Sequence, residues 1–124
     1  MMNNFDRIDF NQIFRERTKS FSIAIIKTLS SLPYSDDISI IRKQIIRSST
    51  SVAANYRAVH RARSEKEKFA KMCIVVEEID ETQLWLEIIE ELEYINPEKI
   101  LHLKAECEEL VKVMTKYKFK LSQI

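Results

Sequence analysis

No glycine occurs anywhere in this chain, and that absence removes much of what a polypeptide can build. Tight hairpin turns call for residues at positive φ, which glycine supplies at the lowest steric cost. An antiparallel sheet protein is therefore disfavoured. Phosphate-cradling loops and dinucleotide fingerprints are made of glycines, so those nucleotide-binding classes are excluded. What remains is long helices joined by short polar links. The only two prolines, Pro33 and Pro97, fall between strongly periodic segments, where proline ends one helix or opens the next. At 124 residues the chain is one domain, long enough for a real core.

Four helical segments follow from the spacing of apolar residues. The first runs from about Asp9 to Leu32, with Phe10, Ile13, Phe14, Phe21, Ala24, Ile25 and Leu32 along one face. The second runs from about Asp37 to Arg63, and Ile38, Ile41, Ile45, Ser48, Val52, Asn55 and Val59 alternate by three and four, the seam of a bundle helix. Ser64 and Glu67 then make a capping box, and the third helix continues to about Tyr94. Asn96 is a favourable N-cap with Pro97 at the first helical position. The fourth helix carries Ile100, Leu103, Cys107, Leu110, Met114, Tyr117 and Leu121 in the same alternation. Helices of roughly 24–30 residues, each ~36–45 Å long, with short links predict an all-α, antiparallel up-down four-helix bundle spanning residues 1–124.

Charge balances overall, with 20 Lys and Arg against 19 Asp and Glu, but it is segregated along the chain. Ser39 to Arg63 holds six cations and no acid, whereas Glu77 to Glu93 holds eight acids and no base. On the second helix Lys43, Arg47, Arg57 and Arg61 form a stripe nearly opposite the seam, with small Thr50 and Ala54 between them. Such a stripe suits contact with phosphates of RNA or DNA without sequence preference; the competing reading is a solvated face paired with the acids of the third helix. No aromatic residue interleaves with these cations, so base stacking is not suggested on this helix.

Two polar residues, Ser48 and Asn55, fall in the second helix's apolar seam. With Asp80 and Gln83 of the third helix they are expected to form a buried network that sets helix register. On the third helix Phe69, Met72, Cys73 and Val76 form the expected core face, which Asp80, Gln83 and Glu87 turn polar halfway along. A second apolar stripe, Ile74, Trp85, Ile88, Ile89 and Leu92, lies away from it, and the first helix has off-seam Ile23 and Ile26. One bundle cannot easily bury both sets, so Ile23, Ile26, Ile74, Trp85, Ile89 and Leu92 are expected to form a surface where copies of the chain associate.

Catalytic and metal chemistry find little support. Cys73 and Cys107 both sit at apolar helix positions and read as reduced core residues. Glu-x-x-His pairs of a di-iron bundle do not occur, and Glu98, His102 and Glu106 are more simply a solvated face than a metal site. No cofactor, metal or enzymatic activity is expected. The N-terminus, MMNNFDRIDF, is polar and acid-bearing, unlike a signal peptide. The longest apolar run is Ile23 to Ile26, too short to span a bilayer; a cytoplasmic location without a membrane partner is expected.

The stretches SSTSVAANYRAVHRARSEKEKF and VVEEIDETQLWLEII resemble the four-helix-bundle proteins encoded in intervening sequences of bacterial 23S rRNA genes. The resemblance is carried by Ser51 to Asn55 and by Glu81 to Leu86. The same fold family includes the accessory variability determinant of diversity-generating retroelements. The resemblance implies an antiparallel bundle that assembles into a ring, commonly a homopentamer, without enzymatic activity. Its retroelement members imply nucleic-acid binding beside a reverse transcriptase, a role that would fall here on Lys43, Arg47, Arg57 and Arg61. Many members follow the asparagine with Glu-Gly; this chain has Tyr56-Arg57-Ala58-Val59, which marks a branch without that acid.

Overall fold

The computed structural model describes residues 4–123, with side chains from Phe10 onward. It contains four helices, α1 (Asn4–Ser30), α2 (Asp36–Val59), α3 (Glu65–Glu91) and α4 (Pro97–Ser122), and no strand among the described residues. The chain is an all-α four-helix bundle in which each helix packs on its neighbours in sequence and α1 also packs on α4. Contact is most extensive between α2 and α3 and thinnest between α1 and α4.

The starts of α2, α3 and α4 are written in side chains. Ser35 Oγ accepts from Ile38 N at 3.3 Å to open α2. Ser64 Oγ accepts from Glu67 N at 3.1 Å, and Glu67 Oε2 accepts in return from Arg63 N at 3.4 Å. Asn96 Oδ1 accepts from Glu98 N at 2.8 Å, with Pro97 opening α4. The bonds from Ile38, Glu67 and Glu98 each satisfy an amide that the first helical turn leaves without a partner, and the Glu67 carboxylate reaches back to the residue before the Ser64 cap. α2 stops at Val59, earlier than its pattern suggested, and Arg61 and Ala62 tighten onto the carbonyls of Ala58 and Val59.

The end of α3 shows the consequence of having no glycine. Glu93 takes φ of 57°, the left-handed position that glycine usually fills after a helix. Tyr94 N then donates to Ile89 O and Glu93 N to Glu90 O, closing the last turn. For a residue with a Cβ that conformation costs about 1 kcal/mol.

The core holds the α4 seam as predicted: Ile100, Leu103, Cys107, Leu110 and Met114 are buried, with Tyr117 and Leu121 packed at its margin. Three expectations shift. On α2 the deep position is Tyr56, fully buried, and Asn55 is only half-buried. Both residues satisfy the three-four alternation between Val52 and Val59, and the larger apolar ring takes the interior. On α3 the core face is Met72, Val75, Ile79, Thr82, Leu86 and Ile89. Cys73, Val76 and Gln83 lie beside that row, and Asp80 and Glu87 are exposed. On α1 Ile13 is 49% exposed, while Phe14, Thr18, Phe21, Ile25 and Leu29 face inward. Truncating one central side chain, such as Ile79→Ala, is expected to cost about 2–5 kcal/mol.

Cys73 and Cys107 are free thiols. Cys107 lies in the core with its Sγ 3.8 Å from Ile79 O, and burial pushes its thiol up to about 12. It stays protonated and inert at ordinary pH.

Candidate nucleic-acid interface

The register of the bundle places the charges. Ser48 and Thr82 hydroxyls meet at 2.8 Å inside the α2–α3 seam, and Thr82 also donates to Glu78 O at 2.8 Å. Ser22 Oγ donates to Ser49 O at 3.1 Å, tying α1 to α2. These buried hydroxyls are the polar network of the core. Of the four residues expected in it, only Ser48 takes part. Asn55 Nδ2 donates to Ser51 O at 2.9 Å and lies 3.0 Å from Ser51 Oγ, both on its own helix. Asp80 points to solvent and Gln83 lies outside the core row. Thr82 was the residue that sequence reasoning missed; its three-four spacing from Ile79 and Leu86 was the available signal.

The basic stripe on α2 is broken in its middle. Arg47 Nη1 donates to Glu78 Oε2 at 2.9 Å, and Nη2 donates to Glu81. Trp85 Nε1 donates to the same Glu81 carboxylate at 3.0 Å. The bond from Trp85 and the pairing with Arg47 hold the Glu81 carboxyl below its ordinary range. Arg47 is therefore engaged with α3. Lys43 and Arg61 are exposed and Arg57 is half-buried, and among the described residues none of the three is in an ion pair. Arg61 lies in the turn after α2 rather than on the helix.

Up-down packing converts segregation along the chain into segregation along the bundle. The α2–α3 turn and the end of α4 share one end, where Tyr117 packs edge-on against Tyr56 at 6.5 Å and against Phe10 at 5.8 Å between ring centroids. Arg57 to Lys71 supplies six cations against Glu65 and Glu67, and Lys112 to Lys120 adds four lysines without an acid. The opposite end holds the α1–α2 and α3–α4 links, joined where Tyr94 donates its hydroxyl to Asp37. Glu77 to Glu98, nine acids and no base, runs toward that end. The cations that collect are thus a bundle end, not a helix face. The α4 lysines belong to it, although helix-by-helix reading of the sequence left them out.

The basic end also holds polar groups without partners. Tyr56 Oη and His60 Nε2 are buried and find no hydrogen-bond partner among the described residues. The two rings meet edge-on at 4.8 Å. Burial, with Lys68 and Arg15 nearby, lowers the His60 pKa below its ordinary value.

Of the expected association residues, Ile23, Ile26, Ile74 and Leu92 are exposed. Trp85 is half-buried against the core margin. Ile89 is 1% exposed and belongs to the core, so it offers no surface to another copy. Among the described residues no three His, Cys, Asp or Glu side chains converge as metal ligands, so Glu98, His102 and Glu106 do not form such a group. No helix among the described residues is long and apolar enough to cross a membrane.

A family model described as 23S rRNA-intervening sequence protein matches residues 11–116. Among solved structures, the chain is similar to a Bacteroides thetaiotaomicron protein of unknown function from the S23 ribosomal protein family. The TM-score is 0.79 at 27% identity, covering 87% of this chain and 96% of that one. No curated protein matches.

Proposed function

The chain belongs to the 23S rRNA-intervening sequence protein family, and from that premise we propose that it is a non-catalytic, oligomeric bundle that binds RNA or DNA without sequence preference. The observation that carries this reading is the charge gradient along the bundle, which concentrates cations at the α2–α3 turn and the end of α4. Cations of that density neutralise phosphates and release counterions, so affinity falls steeply with salt. Arg57 and Arg61 contribute directly, Lys43 lies farther along α2, and Arg47 acts through its pairing with Glu78 and Glu81.

Exposed apolar side chains support self-association, with Ile23 and Ile26 on α1 and Ile74 and Leu92 on α3 as the contact candidates. A homopentameric ring and a reverse transcriptase partner are the finer forms of this reading. Light scattering tests the first, and co-purification with a reverse transcriptase encoded nearby tests the second. The same exposed side chains favour a second reading, a protein-interaction module whose acidic and basic ends meet across subunits and which has no affinity for nucleic acid.

The deciding experiment measures RNA and DNA binding of the purified protein across a salt series. The proposal expects binding at low salt with a steep negative slope of log affinity against log salt. Affinity no greater than for a neutral polymer control assigns the protein to the second reading.

A further inference from the structure

Two aromatic side chains stand well exposed among the described residues, and their surroundings differ. Tyr34 lies in the acidic-end link and donates to Asp36 Oδ1 at 3.0 Å. Phe119 is 64% exposed, on the stretch of α4 that carries Lys112, Lys116, Lys118 and Lys120 and no acid. Lys112, Lys116 and Lys120 recur every four residues, so they share one side of the helix at ~6 Å intervals along its axis. Three residues after Phe119, on the same side of α4, Ser122 lines an open cleft of about 390 Å³ between α3 and α4. Phe69 and Leu121 give that cleft apolar walls, and Lys66 stands on its rim. Glu65 lines it too, within 3.8 Å of Lys68 Nζ.

An exposed phenyl ring among cations, beside a cleft with apolar walls, is the arrangement that receives unpaired bases. The flat ring offers a stacking face to any base, and the lysines follow the phosphates. Bases in a duplex are already stacked on one another and have no free face to offer. We propose that Phe119 and the α3–α4 cleft form a base-stacking platform, so that the polyanion taken by this protein is single-stranded nucleic acid. The inference rests on the nucleic-acid reading above and goes further by naming the strand state.

The test compares labelled oligouridine and oligothymidine with a hairpin duplex, by fluorescence anisotropy at two salt concentrations. Parent protein is expected to prefer the single strands. Phe119→Ala, at an exposed position that leaves the core untouched, is expected to weaken single-strand binding about tenfold, with duplex binding and salt slope unchanged. Lys112→Gln combined with Lys116→Gln and Lys120→Gln is expected to weaken both ligands and flatten the salt slope. In Phe119→Trp, single-strand affinity is retained and the added fluorescence, above the Trp85 background, is quenched by the bound strand. Parental single-strand affinity in Phe119→Ala, an unquenched signal from the introduced indole or a preference for duplex overturns the stacking platform while leaving the broader reading standing. Absence of any nucleic-acid binding by the parent protein overturns the broader reading, and the platform with it.

Discussion

Where the α1–α2 and α3–α4 links meet, polar groups close on one another. Tyr94 donates to Asp37, Arg42 Nη2 donates to Leu32 O at 2.8 Å, and Ser35 both caps α2 and donates to Asp37 Oδ1 at 2.6 Å. The hydroxyls of Ser35 and Tyr94 hold the Asp37 carboxyl down at about 2. At the opposite end, cations outnumber acids, Tyr56 Oη and His60 Nε2 are buried unpaired, and Phe119 faces water. The first end ties its links together through those bonds, with Arg42 Nε the one buried side-chain polar atom there left without a partner among the described residues. The other leaves charge and an aromatic ring unpartnered, which lowers stability and leaves them available to a ligand.

The contrast is sharpest in binding. Changing Arg57, Arg61, Lys116 and Lys120 together to Gln is expected to lower RNA affinity more than tenfold at low salt. The same number of changes at the acidic end, Glu87, Glu91, Glu93 and Glu98 to Gln, is expected not to weaken it, because those groups repel phosphate. Equal losses from both sets, in titrations at one salt concentration, would break the distinction between the ends.

Removing one hydroxyl should act with opposite sign at the two ends. Tyr56→Phe deletes a buried oxygen that has no partner and is expected to stabilise the fold by about 1 kcal/mol, read as a higher urea midpoint. Tyr94→Phe deletes the bond to Asp37 and is expected to lower the midpoint slightly.

Among the described residues, only the acidic end offers backbone relief. Glu93→Gly places the residue without a Cβ at φ of 57° and is expected to raise stability by about 0.5–1 kcal/mol. A lower midpoint would show that the Glu93 side chain contributes more than its backbone costs.

The smallest expected effect is a pH dependence at the basic end. The folded pKa of His60 lies below its unfolded value, so between the two the unfolded chain binds the extra proton. Stability therefore rises with pH through that window and falls as pH drops below about 6.5. His60, the residue that caps the end of α2, faces Tyr56 on α2, Lys68 on α3 and Arg15 on α1. His60→Gln should flatten the decline of melting temperature between pH 7.5 and 5.5, and an unchanged decline would place the titrating group elsewhere.

Much of the fold was legible from residue order. The Ser64–Glu67 and Asn96–Pro97 starts and the α4 seam stand where spacing put them, because caps and one-sided helices carry local signals. The phases of α2 and α3 were not. Val52 to Val59 accepts Asn55 or Tyr56 equally well by spacing, and α3 is apolar on several sides, with Val75, Val76, Trp85, Leu86, Ile88 and Ile89 offering more than one stripe. Only a partner helix chooses among them. Ser48 found its partner in Thr82 rather than Asp80 or Gln83 because the chosen α3 row brings that hydroxyl inside.

The candidate site divides in the same way. Sequence alone determined that the chain is helical, that it has four segments, and that its cations and acids occupy separate stretches. Each of those is a property of neighbours along the chain. Only tertiary structure decided that Arg47 is held by Glu78 and Glu81, and that the α4 lysines join Arg57 and Arg61 at one end. It also decided that Phe119 stands outside the core beside them. Those facts depend on which helix ends are brought together, and antiparallel packing joins residues about half the chain apart in sequence.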